Sequence, residues 1–385
     1  MRCVPPGWCI FTAFKPTHTH PVILFLFSTF IILQIICLAA LLFAFSKYSL
    51  PPIETIDNPV SVIVCAHDEE ENLRELLPLL LAQDHHQFEV IVVEDRCNDN
   101  TFDYLREVAA NDSRLKMVRI ESKPEHVSGK KFALTLGIKA ATYNWVLLTD
   151  ADCRPKGRKW INRMMSKAGD HTHIVLGYSP YEKMPGLLNA FIRFEGLLTA
   201  IQYLGMGLLG KPYMGVGRNL AYQKKVFFDN KGFNTHRGIT GGDDDLLVNA
   251  LARSNNTAAI IDPEAIVYSK PKKSWSSFYY QKLRHLSVGK YYKPSDKFIL
   301  GLFNLSLIGS WLLAVPAIYP ANVFPLGLFL LRMALLVVLL HTASRKLGDS
   351  MALWKVPLLD FIFVIYYLVT GLSALSVKTI RWKKN

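Results

Sequence analysis

The stretch Trp145-Val-Leu-Leu-Thr-Asp150-Ala-Asp152-Cys-Arg-Pro155 decides the fold, because it joins an apolar run to two carboxylates one residue apart. The apolar part predicts a buried strand that ends at Asp150. Carboxylate oxygens are ligands that Mg²⁺ and Mn²⁺ prefer, and phosphate oxygens can complete the coordination of either ion. A solvated turn can also carry two aspartates, so Asp150 and Asp152 predict a divalent-metal site only together with their surroundings.

The chain upstream alternates between strand and helix patterns. Apolar runs at 60–65, 89–93 and 116–120 predict strands, and helical spacing follows from about residue 72, over 102–110 and over 131–141. This alternation predicts an α/β fold with a mostly parallel sheet flanked by helices. Such sheets bind ligands beyond the carboxyl ends of their strands, where Asp68, Asp95 and the Asp150/Asp152 pair fall. We therefore expect these acids to surround one crevice.

Six motifs in this order resemble those of the family-2 glycosyltransferases, inverting sugar transferases with the nucleotide-binding GT-A fold. The opening strand with its Asp68-Glu-Glu70 turn is similar to the start of that family, and so is the strand ending in Glu94-Asp95. Asp150-Ala-Asp152 resembles its metal motif. The other three motifs are Gly215-Val-Gly217-Arg218-Asn219, Gly241-Gly242-Asp243-Asp244-Asp245-Leu246 and Gln281-Lys-Leu-Arg284-His285.

The resemblance implies a role for each motif. A nucleotide diphosphate-sugar, expected to be UDP-linked, would contact Ala66, Asp68, Glu70, Asp95, Lys130 and Asp150, with Mg²⁺ or Mn²⁺ on Asp150 and Asp152. Lys130 could instead be a solvated lysine. Asp243 would be the catalytic base that deprotonates the acceptor, with Asp244 as the alternative. Acceptor and diphosphate contacts would come from Arg218, Gln281, Arg284 and His285.

The chain departs from the family pattern at two positions. Gly242 stands where the base motif usually has Glu, which is why the choice between Asp243 and Asp244 stays open. His285 replaces a Trp that packs on the acceptor sugar in processive polymer synthases, which weakens the case for a long-polymer product. A processive synthase and a non-catalytic sugar-nucleotide or lipid-binding module remain the alternatives to a transferase.

Composition and hydropathy indicate a membrane protein. Half of the 385 residues are hydrophobic, and the mean hydropathy is +0.19. The uncharged run at 22–46 is long enough to cross a bilayer, although a cleaved signal peptide is the alternative. We expect an extension at 1–21, this span, a catalytic domain at 58–290, membrane or interfacial helices at 298–377 and a basic tail at 378–385.

The charges near these segments predict orientation. Lys47 and Lys290, Lys293 and Lys297 flank the catalytic domain, so the positive-inside rule places it in the cytoplasm of a multi-pass protein of the cell (inner) membrane. Three complete spans within 298–377 would export the basic tail. Either one of the apolar runs 298–319, 323–340 and 356–377 is re-entrant or interfacial, or the tail tolerates the outside. Arg332 and Asp360 inside these runs are expected to face protein.

The predicted acceptor is lipid-linked or membrane-associated. Residues 187–204 form an apolar stretch with few polar interruptions, which predicts either an amphipathic helix on the membrane surface or a buried helix of the catalytic domain. The net charge of +13 is scattered, without an aromatic-basic motif, so we expect lipid head groups and no nucleic acid as partners. The six cysteines have no metal-binding spacing and are expected to be free thiols.

Overall fold

The structure is a computed structural model that describes residues 21–50, 58–125, 127–234, 239, 241–319 and 322–376. The expected basic tail at 378–385, and all but the last residue of the expected extension at 1–21, lie outside these ranges. The central strands are short apolar runs rich in Val, Ile and Leu. This composition is continuous because both faces of these strands are buried. Strands lie at Val60–Ala66 (β1), Phe88–Asp95 (β2), Leu115–Ile120 (β3), Trp145–Leu148 (β4), Cys153–Pro155 (β5), Ile174–Leu176 (β6), Leu220–Gln223 (β7), Thr257–Ala259 (β8) and Val267–Ser269 (β9).

Seven of these strands make one sheet in the order β3-β2-β1-β4-β7-β6-β8, and β5 pairs with β9 in a second, two-stranded sheet. The first four are parallel, with Val60 opposite Phe88 on one side and Trp145 on the other. Only β7 runs antiparallel to its neighbours within the seven-stranded sheet. The mostly parallel sheet is thus confirmed. The chain leaves β1 toward β2 and β3 and returns to β4 on the other side, so the crevice between β1 and β4 is a topological switch point.

Helices cover both faces of the sheet, and alternate residues of the central strands enter separate cores. Ile63 packs in one core, whereas Val62 and Val64 pack in the other. Helices outside the membrane segments are Glu70–Leu81 (α2), Thr101–Asn111 (α3), Gly129–Ala140 (α4), Trp160–Met165 (α5), Leu187–Leu208 (α6), Lys224–Asp229 (α7), Asp245–Leu251 (α8) and Trp275–Val288 (α9). The helices predicted from spacing are therefore present as α2, α3 and α4.

The expectation that residues 187–204 lie on the membrane surface is wrong, and the buried-helix alternative is confirmed. Leu197 and Ile201 of α6 have no exposed surface. At Gly205 the helix backbone comes so close to Leu41 that a Cβ would lie 2.6 Å from that side chain. The apolar surface of α6 is covered by the sheet and by other helices. These packing partners lie far away in sequence.

Apolar helices lie at both ends of the described chain, at Pro21–Lys47 (α1), Pro294–Leu312 (α10), Ala314–Ile318 (α11), Val323–Leu347 (α12) and Val356–Ser376 (α13). Three segments are long and apolar enough to cross a membrane, namely α1, α12 and Leu353–Ala374. The run at 298–319 is not among them. It is divided between α10 and α11, which meet at Leu313.

Helix α12 runs parallel to α1, and α10 runs antiparallel to it. Lys346, near the end of α12, donates to the carbonyls of Ser46 and Tyr48 at 3.2 and 2.7 Å, and Phe329 packs near Phe27 and Ile31 at the other end. Gln34 of α1 donates to the carbonyl of Phe303 at 2.8 Å. The segments α1, α10–α11 and α12 therefore form a bundle.

Arg332 and Asp360 form a buried ion pair, as expected for charges within apolar helices. Each side chain is 1% exposed, and Arg332 Nη2 lies 3.2 Å from Asp360 Oδ1. Trp311 of α10 donates to the same carboxylate at 2.7 Å. Both charges thus face protein and tie α12 to α13 and α10.

Candidate active site

Three groups predicted to act in one reaction meet at the switch point. Asp150 follows β4 directly, and Lys130 lies in the first turn of α4. The Lys130 ammonium is 2.9 Å from Asp150 Oδ1 and 3.3 Å from Asp243 Oδ2. Since its side chain is only 22% exposed, the alternative of a solvated lysine is wrong. One nitrogen therefore joins the proposed metal motif to the proposed base.

The charges in this crevice shift one another's pKa values. Burial would lower the pKa of Lys130, but Asp150, Asp243 and Asp244 together raise it well above its ordinary value. Burial likewise opposes the charged form of Asp150, yet Lys130 outweighs it and lowers the pKa of that carboxyl. Asp152 differs, since burial and the charge of Asp150 both raise its pKa. Of the two acids, Asp152 is therefore the one whose charged form is disfavoured in this crevice.

The three consecutive aspartates before α8 have different partners. Asp244 is the N-cap of α8, and it accepts hydrogen bonds from the backbone N–H of Asp245 at 2.8 Å and of Gly217 at 2.7 Å. Asp245 accepts from the hydroxyl of Tyr292 at 2.9 Å and from the N–H of Leu246. Asp243 instead faces Lys130. This arrangement favours Asp243 over Asp244 as the proposed base, because Asp244 is engaged in holding the loop.

The backbone before Asp243 explains why glycine replaces Glu in the base motif. Gly241 and Gly242 adopt φ angles of +88° and +75°, in the left-handed region that favours glycine. A Cβ on Gly242 would also lie 2.5 Å from Leu246 Cδ1. A glutamate at position 242 would therefore require a different loop.

The proposed donor contacts lie at the ends of β1 and β2, and their carboxylates already have partners. Asp68 accepts the backbone N–H of Asn98 at 2.7 Å, and Glu70 pairs with Arg74 at 2.9 Å. Asp95 binds the guanidinium of Arg96 through both oxygens, at 2.7 and 3.1 Å. Ala66 is the buried last residue of β1. A nucleotide base would have to compete with Arg96 for Asp95.

Asp95 also lies next to the helix that carries Lys130. A Cβ on Gly129, the residue before Lys130, would lie 3.2 Å from Asp95 Oδ2. The ends of β2 and β4 are therefore linked through the first turn of α4.

A second group of possible metal ligands, Asp68, Cys97 and Asp99, lies beside the donor contacts. Burial raises the pKa of Cys97 to about 12, so the thiol stays protonated near neutral pH and is a poor ligand. Asp99 accepts the backbone N–H groups of Glu70 and Thr101, both at 3.1 Å. These groups stabilise the loop before α3.

The proposed acceptor and diphosphate contacts lie on the other side of the crevice. Arg218 packs over the ring of Tyr181, with its guanidinium carbon 4.6 Å from the ring centre, and its charge acts on Asp150 and Asp152. On α9, His285 is exposed, and its Nε2 lies 3.4 Å from Arg284 Nη2. Gln281 Oε1 is buried without a hydrogen-bond partner in the part of the chain that the structure describes.

The sequence did not single out one charged pair beside these residues. Lys282 of α9 lies 2.5 Å from Glu195 of α6, and the two side chains are 12% and 9% exposed. Glu195 is one of the few charges in the apolar α6 stretch. This location within an apolar stretch was the only feature of the sequence that pointed to Glu195, because its partner Lys282 lies on another helix.

The residues at the end of β4 fit a divalent cation. No salt bridge to Asp152 is found among the described residues, and burial together with the charge of Asp150 raises the pKa of its carboxyl. Among the described residues, Asp150 has only the ammonium of Lys130 as a counter-ion within salt-bridge distance. Mg²⁺ or Mn²⁺ could be held by Asp150 and Asp152 with oxygen ligands from a bound substrate.

Comparisons with known proteins identify a family and relatives to which this chain is similar. Residues 61–227 match the family described as "Glycosyl transferase family 2". The chain is 25% identical over 261 residues to the probable glycosyltransferase YdaM of Bacillus subtilis (strain 168), covering 64% of this chain and 58% of that one. A segment of 93 residues is 31% identical to the poly-β-1,6-N-acetyl-D-glucosamine synthase of Staphylococcus epidermidis, and covers 24% of this chain and 21% of that one. The chain thus spans less than two thirds of the length of either relative.

A solved structure shares the architecture. The mannosyltransferase PcManGT from Pyrobaculum calidifontis, in complex with GDP-Man and Mn²⁺, superposes with a TM-score of 0.56 at 17% sequence identity. The likeness covers 93% of this chain and 98% of that one. At this identity it shows the GT-A fold.

Proposed function

We propose that this chain, whose residues 61–227 form a glycosyltransferase family 2 domain, transfers a sugar from a nucleotide diphosphate-sugar to a lipid-linked or membrane-associated acceptor. The reaction would invert the configuration at the sugar carbon. The observation that carries the proposal is the Lys130 ammonium within 3.3 Å of both Asp150 and Asp243. A donor diphosphate bound at Asp150 would place its sugar carbon next to an acceptor hydroxyl at Asp243.

In this mechanism Asp243 accepts the proton of the acceptor hydroxyl as its oxygen attacks the sugar. General-base assistance of this kind accelerates a reaction by roughly 10²- to 10⁴-fold. Lys130, Arg218 and Arg284 would bind the departing diphosphate, on which negative charge develops. A cation on Asp150 and Asp152 would supply further charge neutralisation when bound.

A membrane acceptor is supported by the position of the catalytic elements next to apolar helices. Tyr366 of α13 stacks on Phe278 of α9, the helix that carries Gln281, Arg284 and His285, with ring centres 5.5 Å apart. Phe363 of α13 contacts Phe194 of α6. An acceptor with an apolar tail would reach this side of the crevice from the bilayer. We propose that the catalytic domain faces the cytoplasm of the cell (inner) membrane, where nucleotide sugars are found.

The test is transfer of radiolabelled sugar by the purified full chain in the presence of membrane lipids. UDP-sugars are the first donors, and GDP-mannose is the second. We expect label in an organic-extractable product, loss of transfer in EDTA and recovery with Mn²⁺ or Mg²⁺. Transfer only to water-soluble acceptors would contradict the lipid-linked acceptor, and full activity in EDTA would contradict the metal.

The size of the product separates the proposal from the processive alternative. A single added sugar is expected, since exposed His285 replaces the Trp that processive relatives use. A ladder of long products would favour a polymer synthase. Donor binding without transfer or donor hydrolysis would indicate a non-catalytic module.

A further inference from the structure

A basic cavity lies outside the active site, where the catalytic domain meets the connection between α12 and α13. Its volume is about 430 Å³, and Lys183, Arg193 and Lys355 line it together with Ser350, Leu359 and neighbouring residues, none of which is acidic. A second cavity of about 460 Å³ adjoins it and shares Lys183, Arg193 and Ser350. Neither cavity is lined by Asp150, Lys130 or Asp243.

Arg193 is held in place between the two cavities. Its guanidinium pairs with Asp349, and its Nη2 donates to the carbonyl of Ser350 at 2.6 Å. Asp349 is fixed in turn by the hydroxyl of Tyr178 at 2.9 Å. Arg193 Nε is buried and has no hydrogen-bond partner within the described residues. A buried N–H without a partner is costly, so it favours a ligand that supplies an acceptor oxygen.

The two lysines of this lining supply charge that no described acidic side chain neutralises. Neither Lys183 nor Lys355 forms an ion pair with any described residue. Together with Arg193, which is paired with Asp349, they place three cationic side chains around a cavity that has no acid in its lining, and only the two lysines lack an ion-pair partner among the described residues. The cavity therefore favours an anion.

Met184 of the lining and three residues that adjoin the lining in the chain are apolar and exposed. Trp354, next to Lys355, is 80% exposed, and Met184, Leu187 and Leu358 are also exposed. Trp beside Lys, with exposed aliphatic side chains, is typical of a surface at the boundary between head groups and acyl chains. An anion with apolar chains attached matches both the basic lining and the exposed apolar side chains next to it in the chain.

We propose that this cavity binds the head group of an anionic phospholipid, with the phosphate on Lys183, Arg193 and Lys355 and the acyl chains along Leu187, Trp354 and Leu358. The lipid is a ligand of the junction and is not the sugar acceptor. It holds α6 next to the α12–α13 connection at the level of the head groups.

The experiment is a titration of the full chain in detergent micelles, with bound lipid counted by native mass spectrometry. Phosphatidylglycerol, phosphatidylcholine and inorganic phosphate are compared. We expect saturable binding of one phosphatidylglycerol, and neither of the other two should compete with it. In the Lys183→Gln/Lys355→Gln variant the affinity should fall about tenfold or more.

The matched control is Lys290→Gln/Lys297→Gln, which removes two exposed lysines near the membrane but outside the cavity. Its affinity for phosphatidylglycerol should stay that of the native chain, and both variants should keep the native unfolding midpoint. Equal losses in the two variants would show diffuse attraction and overturn the site. Saturation by phosphate alone, or transfer of labelled sugar to the bound phosphatidylglycerol, would overturn the assignment as well.

Discussion

Lys130 occupies one of the oxygens that Asp150 could offer a metal ion. Its ammonium lies 2.9 Å from Asp150 Oδ1, so a cation that binds through Oδ1 competes with Lys130 for that oxygen. When donor and cation arrive together, the diphosphate offers Lys130 a new partner. A free cation offers none, and the lysine should therefore weaken binding of metal in the absence of donor.

The Lys130→Met variant tests this competition. Without donor, its affinity for Mn²⁺ should rise by about tenfold, corresponding to about 1.4 kcal/mol, as measured by electron paramagnetic resonance of the free ion. Lys139→Met, on the exposed side of the same helix, is the charge-matched control and should leave the affinity unchanged. Weaker Mn²⁺ binding in Lys130→Met would contradict the competition.

Substitutions of the neighbouring aspartates Asp243 and Asp244 should have different effects. Asp243→Asn should lower kcat by about 10² or more while donor affinity stays within a few-fold, because only the proton transfer is lost. Asp244→Ala removes the acceptor of two backbone N–H groups and should destabilise the fold by about 1 kcal/mol, the usual cost of a lost N-cap.

Unfolding curves and steady-state kinetics on both variants separate the two roles. A native unfolding curve for Asp244→Ala, together with a larger loss of kcat than in Asp243→Asn, would make Asp244 the base.

At the scale of elements, the loop before α8 depends on backbone conformation more than on side chains. Gly242→Ala should destabilise the protein by about 1–2 kcal/mol for the left-handed φ alone, and more for the contact with Leu246. It should also lower kcat, since Asp243 is the next residue. Gly157→Ala is the control, because a Cβ there meets nothing within 4 Å. Denaturant unfolding measures the stability of both variants. Equal stability of Gly242→Ala and Gly157→Ala would contradict backbone strain at position 242.

The elements that could be predicted from sequence are those whose pattern is local. The strands β1, β2 and β4 are continuous apolar runs bounded by polar loops, and the helices after them have regular spacing. Burial of α6 could not be predicted, because an apolar stretch has the same pattern whether lipid or protein covers it. Its cover comes from residues such as Leu41, far earlier in the chain.

The site could be predicted only in part, for a similar reason. Asp150 and Lys130 were named from motifs, but their contact depends on the crossover from β3 to β4. The choice between Asp243 and Asp244 depended on Gly217, whose N–H holds Asp244 from 27 positions away. The partners Arg96 and Arg74, which occupy the carboxylates of Asp95 and Glu70, were not foreseen.

At the scale of the whole molecule, the packing of the apolar helices defines a topology. Since α1 and α12 are parallel, a chain in which both cross the bilayer must return between them through α10–α11. The start of α12 then lies on the side opposite the catalytic domain. Helix α13 packs on α6 and α9 through Phe363 and Tyr366. Of the three C-terminal apolar runs, this packing favours α13 as the one that lies at the membrane interface.

Cysteine labelling with a membrane-impermeant maleimide tests this topology, in a chain with Cys3 and Cys9 replaced by Ser. Val323→Cys, at the start of α12, should react from the side opposite the catalytic domain, and Trp354→Cys from the catalytic side. Both positions are 80% exposed on the protein surface, so the protein itself does not block the reaction. Reaction of both from one side would mean that α12 does not cross.

The hydrogen bond from Gln34 has a consequence for how ribosomes make this protein. Its acceptors, the carbonyl of Phe303 and the hydroxyl of Ser306, lie 269 and 272 positions later in the chain. At about 5–20 residues per second, translation needs roughly 13–54 s to reach them after Gln34 has been added. For that time α1 carries an amide without its final partner, which is costly in hydrocarbon. The first span to be synthesised is therefore among the last to form all of its hydrogen bonds. In a nascent chain that stalls before residue 303, the Gln34 amide can bind other polar groups in the membrane.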